Sequence, residues 1–180
     1  EKEKIITESD QLSSSIAASA ASTADPTMVF PPAFFGTHRR KNPVIIFQGA
    51  LHGNEYTGTV ASLNLCSILE TGTDLRGRRW DNLKNSAEKC RIIVIPWLNP
   101  DGAARSLFAS YVGLPGALVS MLTQGVLKDG KPLGYPVTAG YPLKVDDFSY
   151  LGAYFNDSGF NLQYDFCSCE RQPETLTWMR

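Results

Sequence analysis

The clearest pattern in the chain is a strand, a helix and a second strand. Residues 43–49, PVIIFQG, form a short apolar run that predicts a strand buried on both faces. Between Thr57 and Leu69 apolar residues recur at helical spacing, and Gly72 just beyond predicts the helix end. Residues 90–98, CRIIVIPWL, predict a second buried strand, closed by the turn NPDG. This order predicts an α/β layer with a right-handed crossover.

The rest of the chain has weaker patterns. Residues 1–28 are rich in Ser, Ala and Thr and are interpreted as a low-complexity arm or a weak helix, which leaves residues 29–180 for the α/β domain. Residues 103–150 carry repeated Gly and Pro and predict a long loop-rich segment, of the kind that often shapes a site. The final residues, PETLTWMR, predict the opening of a helix with Pro173 in its first turn.

Composition narrows the classes of function. The net charge of the 180 residues is -1, which argues against a broad attraction to nucleic acid or to an anionic membrane. No apolar run approaches the roughly 20 residues of a membrane helix. The four cysteines follow neither a disulfide framework nor the usual zinc spacing, because the pair nearest in sequence is CSC. The compartment stays open between the cytoplasm and export with a signal removed.

The candidate chemistry lies in HGNE, at the end of the first predicted strand. His52 and Glu55 supply an imidazole nitrogen and a carboxylate oxygen, which are common zinc ligands. Residues three apart face the same way where a strand turns into a helix, and Gly53 allows a sharp bend between them. The alternative is a polar strand-to-helix turn, in which Glu55 interacts only with the helix dipole.

Three blocks in order resemble the zinc carboxypeptidase family, both its carboxypeptidase A-like and its succinylglutamate desuccinylase-like members. VIIFQGALHGNEYTG resembles the family's strand and its metal-binding H-x-x-E. IIVIPWLNPDGAAR resembles the next strand and its NPDG turn. GFNLQYDF, followed by PET, resembles the block G-V-D-L-N-R-N-F and the helix after it. The resemblance covers residues 42–105 and 148–180.

The resemblance implies a mixed, largely parallel sheet sandwiched by helices, and Zn²⁺ held by His52 and Glu55. It also implies hydrolysis of an amide bond, as by a metallocarboxypeptidase or an N-acyl amino acid deacylase. The family's third zinc ligand and its general base are a later histidine and a later glutamate, which this sequence does not contain. We therefore expect an incomplete, apparently truncated domain, which exposes a sheet edge and self-associates through it.

The sequence departs from the family where the substrate and the first histidine are held. Gln163 and Tyr164 stand where the family has the N-R pair that binds a terminal carboxylate, so a different acyl or amide substrate, such as an N-acyl amino acid, is expected. Asn161 stands where the family has an aspartate that orients the first histidine. Arg105 is the candidate for stabilising the oxyanion, and a surface arginine is the alternative.

These departures leave a second hypothesis open. The chain is either a zinc-dependent hydrolase or a degenerate carboxypeptidase-like domain that binds a partner without metal and without catalysis.

Overall fold

The computed structural model describes residues 32–108, 110–134, 143–169 and 171–179. The arm predicted at residues 1–28 and the domain boundary at residue 29 lie outside these residues. The strands are β1 Ala33–Gly36, β2 Val44–Gln48, β3 Arg91–Ile95, β4 Gly125–Leu127 and β5 Phe148–Leu151. The α-helices are α1 Tyr56–Thr71, α2 Asp81–Ala87, α3 Pro100–Arg105, α4 Gly116–Gln124, α5 Leu162–Asp165 and α6 Pro173–Met179. Within the described ranges, no helix combines the length and apolarity that crossing a membrane requires.

The first sheet contains the predicted strand–helix–strand unit. Its order is β1-β3-β2, and β2 runs parallel to β3 in a register from Val44 opposite Arg91 to Gln48 opposite Ile95. β1 pairs antiparallel with the other edge of β3. A second sheet pairs β4 with β5, also antiparallel. The described sheets are therefore mixed, as expected, but one parallel pair among three does not make them largely parallel.

Helix α1 forms as its periodicity predicts. It ends at Gly72, whose φ of 81° is left-handed and whose N–H donates to the carbonyl of Ile68 at 2.8 Å. Leu69 lies on the buried side of the helix, and it joins a core cluster with Ile92 and Val94 of β3. The helix that connects the two parallel strands thus covers one face of the sheet.

The burial predicted for β2 is wrong. All five residues from Val44 to Gln48 are exposed, and Phe47 keeps 41% of its surface accessible. The reason is topological, because β2 is an edge strand and no described strand pairs with its second edge. In β3, the central strand, Ile92 and Val94 are buried, so there the apolar run gave the correct burial. Apolar pattern alone does not distinguish a central strand from an edge strand whose second side is uncovered.

The segment at residues 103–150 contains more regular structure than its glycines and prolines predict. Helix α4 leads directly into β4, and β4 pairs with β5 twenty or so residues later in the chain. Gly125 makes the join possible, because its φ of 105° is in the region that favours glycine. Residues 135–142, within the connection between these strands, lie outside the described residues.

Candidate metal-binding site

The HGNE segment forms a tight turn between β2 and α1. The turn begins at Ala50, the one described non-glycine residue with a left-handed φ, at 46°. It closes through the N–H of Glu55, which donates to the carbonyl of His52 at 3.0 Å. Glu55 is then the residue that precedes the first turn of α1, and its side chain makes no capping hydrogen bond. The turn therefore leaves the Glu55 carboxylate available to a partner other than the helix.

Close backbone contact fixes this turn against NPDG. A Cβ atom on Gly53 would lie 2.0 Å from the backbone nitrogen of Ala103, so only glycine fits there. Gly53 also donates its N–H to the carbonyl of Ala153 at 2.9 Å. NPDG itself is not a free turn as predicted, because it begins helix α3, and the Asn99 side chain accepts a hydrogen bond from Gly102 N at 2.9 Å. Three separate segments thus meet at the backbone of His52 and Gly53.

The two predicted metal ligands face each other. Nδ1 of His52 lies 2.9 Å from Oε1 of Glu55. The histidine is 8% exposed, whereas the glutamate side chain is 52% exposed and opens to solvent. The imidazole nitrogen and the carboxylate oxygen are thus in direct hydrogen-bond contact, which places two atoms of the kinds that zinc prefers side by side. Over the described residues, however, no group of three or more His, Cys, Asp or Glu side chains could hold a metal ion.

The proton on His52 affects what the pair can bind. A carboxylate accepts hydrogen bonds, so in the contact with Glu55 the proton lies on Nδ1. A metal bound at Nδ1 requires the proton to lie on Nε2 instead. Nε2 is buried and has no hydrogen-bond partner. Nε2 is therefore an unsatisfied buried atom in either tautomer, at a cost of about 1–3 kcal/mol, and no hydrogen bond favours the tautomer that metal binding needs.

Asn161 makes a local contact. Its side-chain oxygen accepts a hydrogen bond from Gln163 N at 3.1 Å and caps helix α5. The contact expected between this side chain and His52 is not among the hydrogen bonds of the described residues. Gln163 is exposed and Tyr164 is half-buried on the same short helix, and their predicted role in substrate binding stays a prediction.

Arg105 lies at the end of α3 and joins two segments. Its guanidinium pairs with the Asp157 carboxylate and also donates to the carbonyl of Phe155. The side chain is 21% exposed. Both contacts tie α3 to the turn at residues 155–157, so they favour a structural role over the predicted oxyanion role.

An aromatic residue from a distant part of the chain contacts the pair. The ring of Tyr154 stacks on the imidazole of His52, with ring centroids 3.7 Å apart and an angle of 8° between the planes. The two residues are about a hundred positions apart in the chain, and no local spacing connects them. No sequence signal therefore identified Tyr154 as part of the site.

An open pocket of about 670 Å³ adjoins the carboxylate of Glu55. Its walls are the end of β2, the start of α1 and residues 110–112. Among the described residues that line it, Tyr56 and Tyr111 are aromatic and Glu55 is the one that carries a charge. Tyr56 packs edge-on against Trp97 with ring centroids 5.4 Å apart, which fixes one wall. Among the residues that the structure describes, the pocket therefore presents aromatic rings, neutral polar groups and the Glu55 carboxylate, and no basic side chain.

Three carboxyl groups are buried in the segments around Arg105 and helix α6, a feature that the sequence did not predict. Asp101, which was interpreted as a turn residue, is 4% exposed, and its carboxylate accepts a hydrogen bond from Asp157 N at 2.9 Å. Burial raises the pKa of Asp101 and of Glu174. Asp165 is 2% exposed and accepts a hydrogen bond from Gln172 N at 2.8 Å. These groups hold the segments that carry Arg105 and helix α6.

A comparison with known protein families identifies a match. The sequence model of the family described as zinc carboxypeptidase matches residues 8–110, which is more than half of the 180 residues. This range contains His52, Glu55 and the NPDG segment, and it ends before Asn161. No curated protein matches the chain.

Proposed function

The chain belongs to the zinc carboxypeptidase family, and on that premise we propose that it is a metal-dependent hydrolase of amide bonds whose metal is held in part by His52 and Glu55. The observation that carries the proposal is the distance of 2.9 Å between Nδ1 of His52 and Oε1 of Glu55. Both donors have the chemistry that zinc prefers, and both come from a turn that backbone contacts hold rigid.

A bound zinc ion would polarise a substrate carbonyl and lower the pKa of a water molecule. The chain's own residues supply the environment for that chemistry. His52 is almost fully buried and presents one nitrogen, while the exposed side of Glu55 lines the pocket where a substrate has room to bind. The buried histidine holds its donor nitrogen in a fixed direction, and the pocket gives a substrate access to the Glu55 carboxylate.

We propose as the substrate class an acylated amino acid or a peptide whose terminal carboxyl group is blocked, such as an N-acyl amino acid amide or a peptide amide. Gln163 and Tyr164 offer no positive charge for a free terminal carboxylate. The pocket beside Glu55 adds none, since none of the described residues that line it is basic. Its aromatic walls favour a neutral group that is partly apolar.

The test is a zinc titration of the purified chain and of three variants. Wild type is expected to bind one zinc ion, and His52→Ala and Glu55→Ala are expected to bind more than about 10-fold more weakly, since even outer contacts of a metal site cost 10–100-fold. His38→Ala is the matched control, because His38 is the other histidine, is exposed, and lies outside the turn. Equal affinity for all four proteins would refute the assignment.

Hydrolysis is measured in parallel on an N-acyl amino acid amide and on the same compound with a free carboxyl group. The proposal expects chelator-sensitive release of the acyl group, and more of it from the first substrate.

The second hypothesis, a binding domain without metal, is supported by one observation. Two convergent donors without a third among the described residues make a weak metal site. This hypothesis expects less than about 0.1 zinc per chain after purification in zinc-containing buffer, and no hydrolysis of either substrate.

A further inference from the structure

We propose that Tyr154 is a positioning residue that holds the imidazole of His52 in the orientation required for metal binding, and this inference rests on the proposed function. The two rings stack with 3.7 Å between their centroids and 8° between their planes. This stack would then orient the imidazole, as a hydrogen bond to the second imidazole nitrogen commonly does.

Hydrogen bonding alone leaves His52 poorly fixed. Its Nδ1 contacts a glutamate side chain that is 52% exposed, and such a partner gives weak restraint. Its Nε2 has no hydrogen-bond partner. Asn161 is engaged with Gln163 N instead. A ring held through one nitrogen by a mobile carboxylate is free to turn about its Cβ–Cγ bond unless packing prevents it.

The Tyr154 ring prevents this rotation. Nearly parallel planes at 3.7 Å are in van der Waals contact, so a turn of the imidazole out of its plane drives its atoms into the phenol ring. His52 is only 8% exposed, which leaves little space on its other side. The stack therefore fixes the direction in which Nδ1 points.

Tyr154 is itself held by a rigid segment. Its N–H donates to the carbonyl of Thr123 at 3.1 Å, and its carbonyl accepts from the fully buried Asn99 side chain at 3.4 Å. Ala153, the preceding residue, accepts from Gly53 N at 2.9 Å. The tyrosine is thus connected by its backbone to the same turn whose histidine it contacts through its ring. Both partners of the stack are placed by one set of contacts.

The experiment compares Tyr154→Phe, which keeps a stacking ring, with Tyr154→Leu, which does not. Phe148→Leu is the matched control, because it removes an aromatic ring from β5 without contacting the site. Zinc affinity is expected to fall about 3- to 10-fold in Tyr154→Leu, the range that an aromatic pair energy supports. It is expected to stay within about 2-fold of wild type in Tyr154→Phe and in Phe148→Leu. Tyr154→Met replaces Tyr154→Leu if circular dichroism shows that the leucine variant does not fold.

A second readout needs no metal. In the metal-free protein, the ring protons of His52 are expected to be shifted upfield by the tyrosine ring in an NMR spectrum, with their signals assigned from His52→Ala. The shift is expected to persist in Tyr154→Phe and to disappear in Tyr154→Leu.

An unchanged His52 signal in Tyr154→Leu would overturn the inference, and so would unchanged zinc affinity in that variant. A wild-type chain that binds no zinc would refute the proposed function, while the NMR comparison would still decide whether Tyr154 orients the ring.

Discussion

Replacing Glu174 by Gln is predicted to stabilise the protein at neutral pH. Glu174 is 8% exposed, and one carboxylate oxygen accepts from Asn156 Nδ2 at 3.2 Å. The other oxygen, Oε2, is buried without a hydrogen-bond partner. Burial is the main cause that raises the pKa of this carboxyl, its hydrogen bonds lower it, and the carboxyl groups of Asp101 and Asp165 raise it further. The folded protein therefore disfavours the ionised form.

The sign of the pH dependence follows from linkage. The pKa of Glu174 is higher in the folded chain than its ordinary value of 4.5. Above that ordinary value the unfolded chain releases the proton first, so it binds fewer protons than the folded chain and stability falls as pH rises. The fall ends once pH passes the folded pKa. Below about pH 4 both states are protonated and the penalty disappears.

An unsatisfied buried group costs about 1–3 kcal/mol, more when it is charged. Glutamine keeps the size of the side chain and removes the ionisation. Glu174→Gln is expected to raise the free energy of unfolding by about 1–2 kcal/mol at pH 7, and by much less at pH 4. For a chain of this length, each 1 kcal/mol corresponds to about 2–4 °C in Tm.

Urea denaturation of wild type and Glu174→Gln at pH 4 and pH 7 measures this difference. Glu88→Gln, at an exposed position after α2, is the control and is expected to be neutral at both pH values. A Glu174→Gln variant that is less stable than wild type by the same amount at both pH values would refute the reasoning, since it would show that the carboxylate is stabilised by contacts rather than destabilised by burial.

Three further predictions test the turn, the sheet edge and the arginine. Gly53→Ala is expected to lower the free energy of unfolding, measured by urea denaturation, by more than about 3 kcal/mol, because the added Cβ meets backbone at 2.0 Å. Gly116→Ala adds its Cβ to open space and is expected to lower it little. Similar losses in the two variants would contradict the packing argument. We propose that β2 pairs with β2 of a second copy, so light scattering is expected to show a dimer whose fraction rises with concentration. Phe47→Glu is expected to abolish this dimer, whereas Phe108→Glu, at an equally exposed phenylalanine, is expected to leave it intact. A wild-type protein that stays monomeric at all concentrations would contradict the proposal. Arg105→Gln is expected to lose about 1.5–3 kcal/mol of stability with zinc affinity unchanged, because it removes charged hydrogen bonds within the fold; full stability with lost hydrolysis would instead support the oxyanion role.

Local pattern predicted the part of the fold that depends on local interactions. The helical spacing between Thr57 and Leu69 and the glycine stop at Gly72 gave α1 to within two residues at each end. The same pattern failed for the burial of β2, because burial depends on which strands lie beside it. It also failed for the pairing of β4 with β5, which joins residues on either side of a long connection and carries no short-range signal.

The predictions for the site show the same difference between local and distant partners. His52 and Glu55 are three residues apart, so their approach follows from one turn and was expected from spacing. Tyr154 reaches His52 only through tertiary contacts, and the sequence around it indicates no more than packing. The oxyanion role of Arg105 stays a prediction, and the sequence did not indicate its pairing with the carboxylate of Asp157, which comes from a distant segment. Positions whose partners are local could be predicted, and positions whose partners are distant could not.

The contacts around His52 separate two properties that one mutation often changes together. Backbone atoms of Gly53, Ala103 and Ala153 determine where the turn lies, and they do so through close approach and a hydrogen bond. The side chains of Glu55 and Tyr154 contact the imidazole within that turn, and in our proposal the Tyr154 ring holds its orientation. Changes to the first group act on folding, because no rearrangement accommodates a Cβ inside a backbone contact. Changes to the second group act on metal affinity, because they leave the turn in place and alter only the orientation of its donors. If the turn binds a metal, variants at Tyr154 and Glu55 are therefore expected to fold as well as wild type and to bind zinc more weakly. A turn with a purely structural role gives no such expectation.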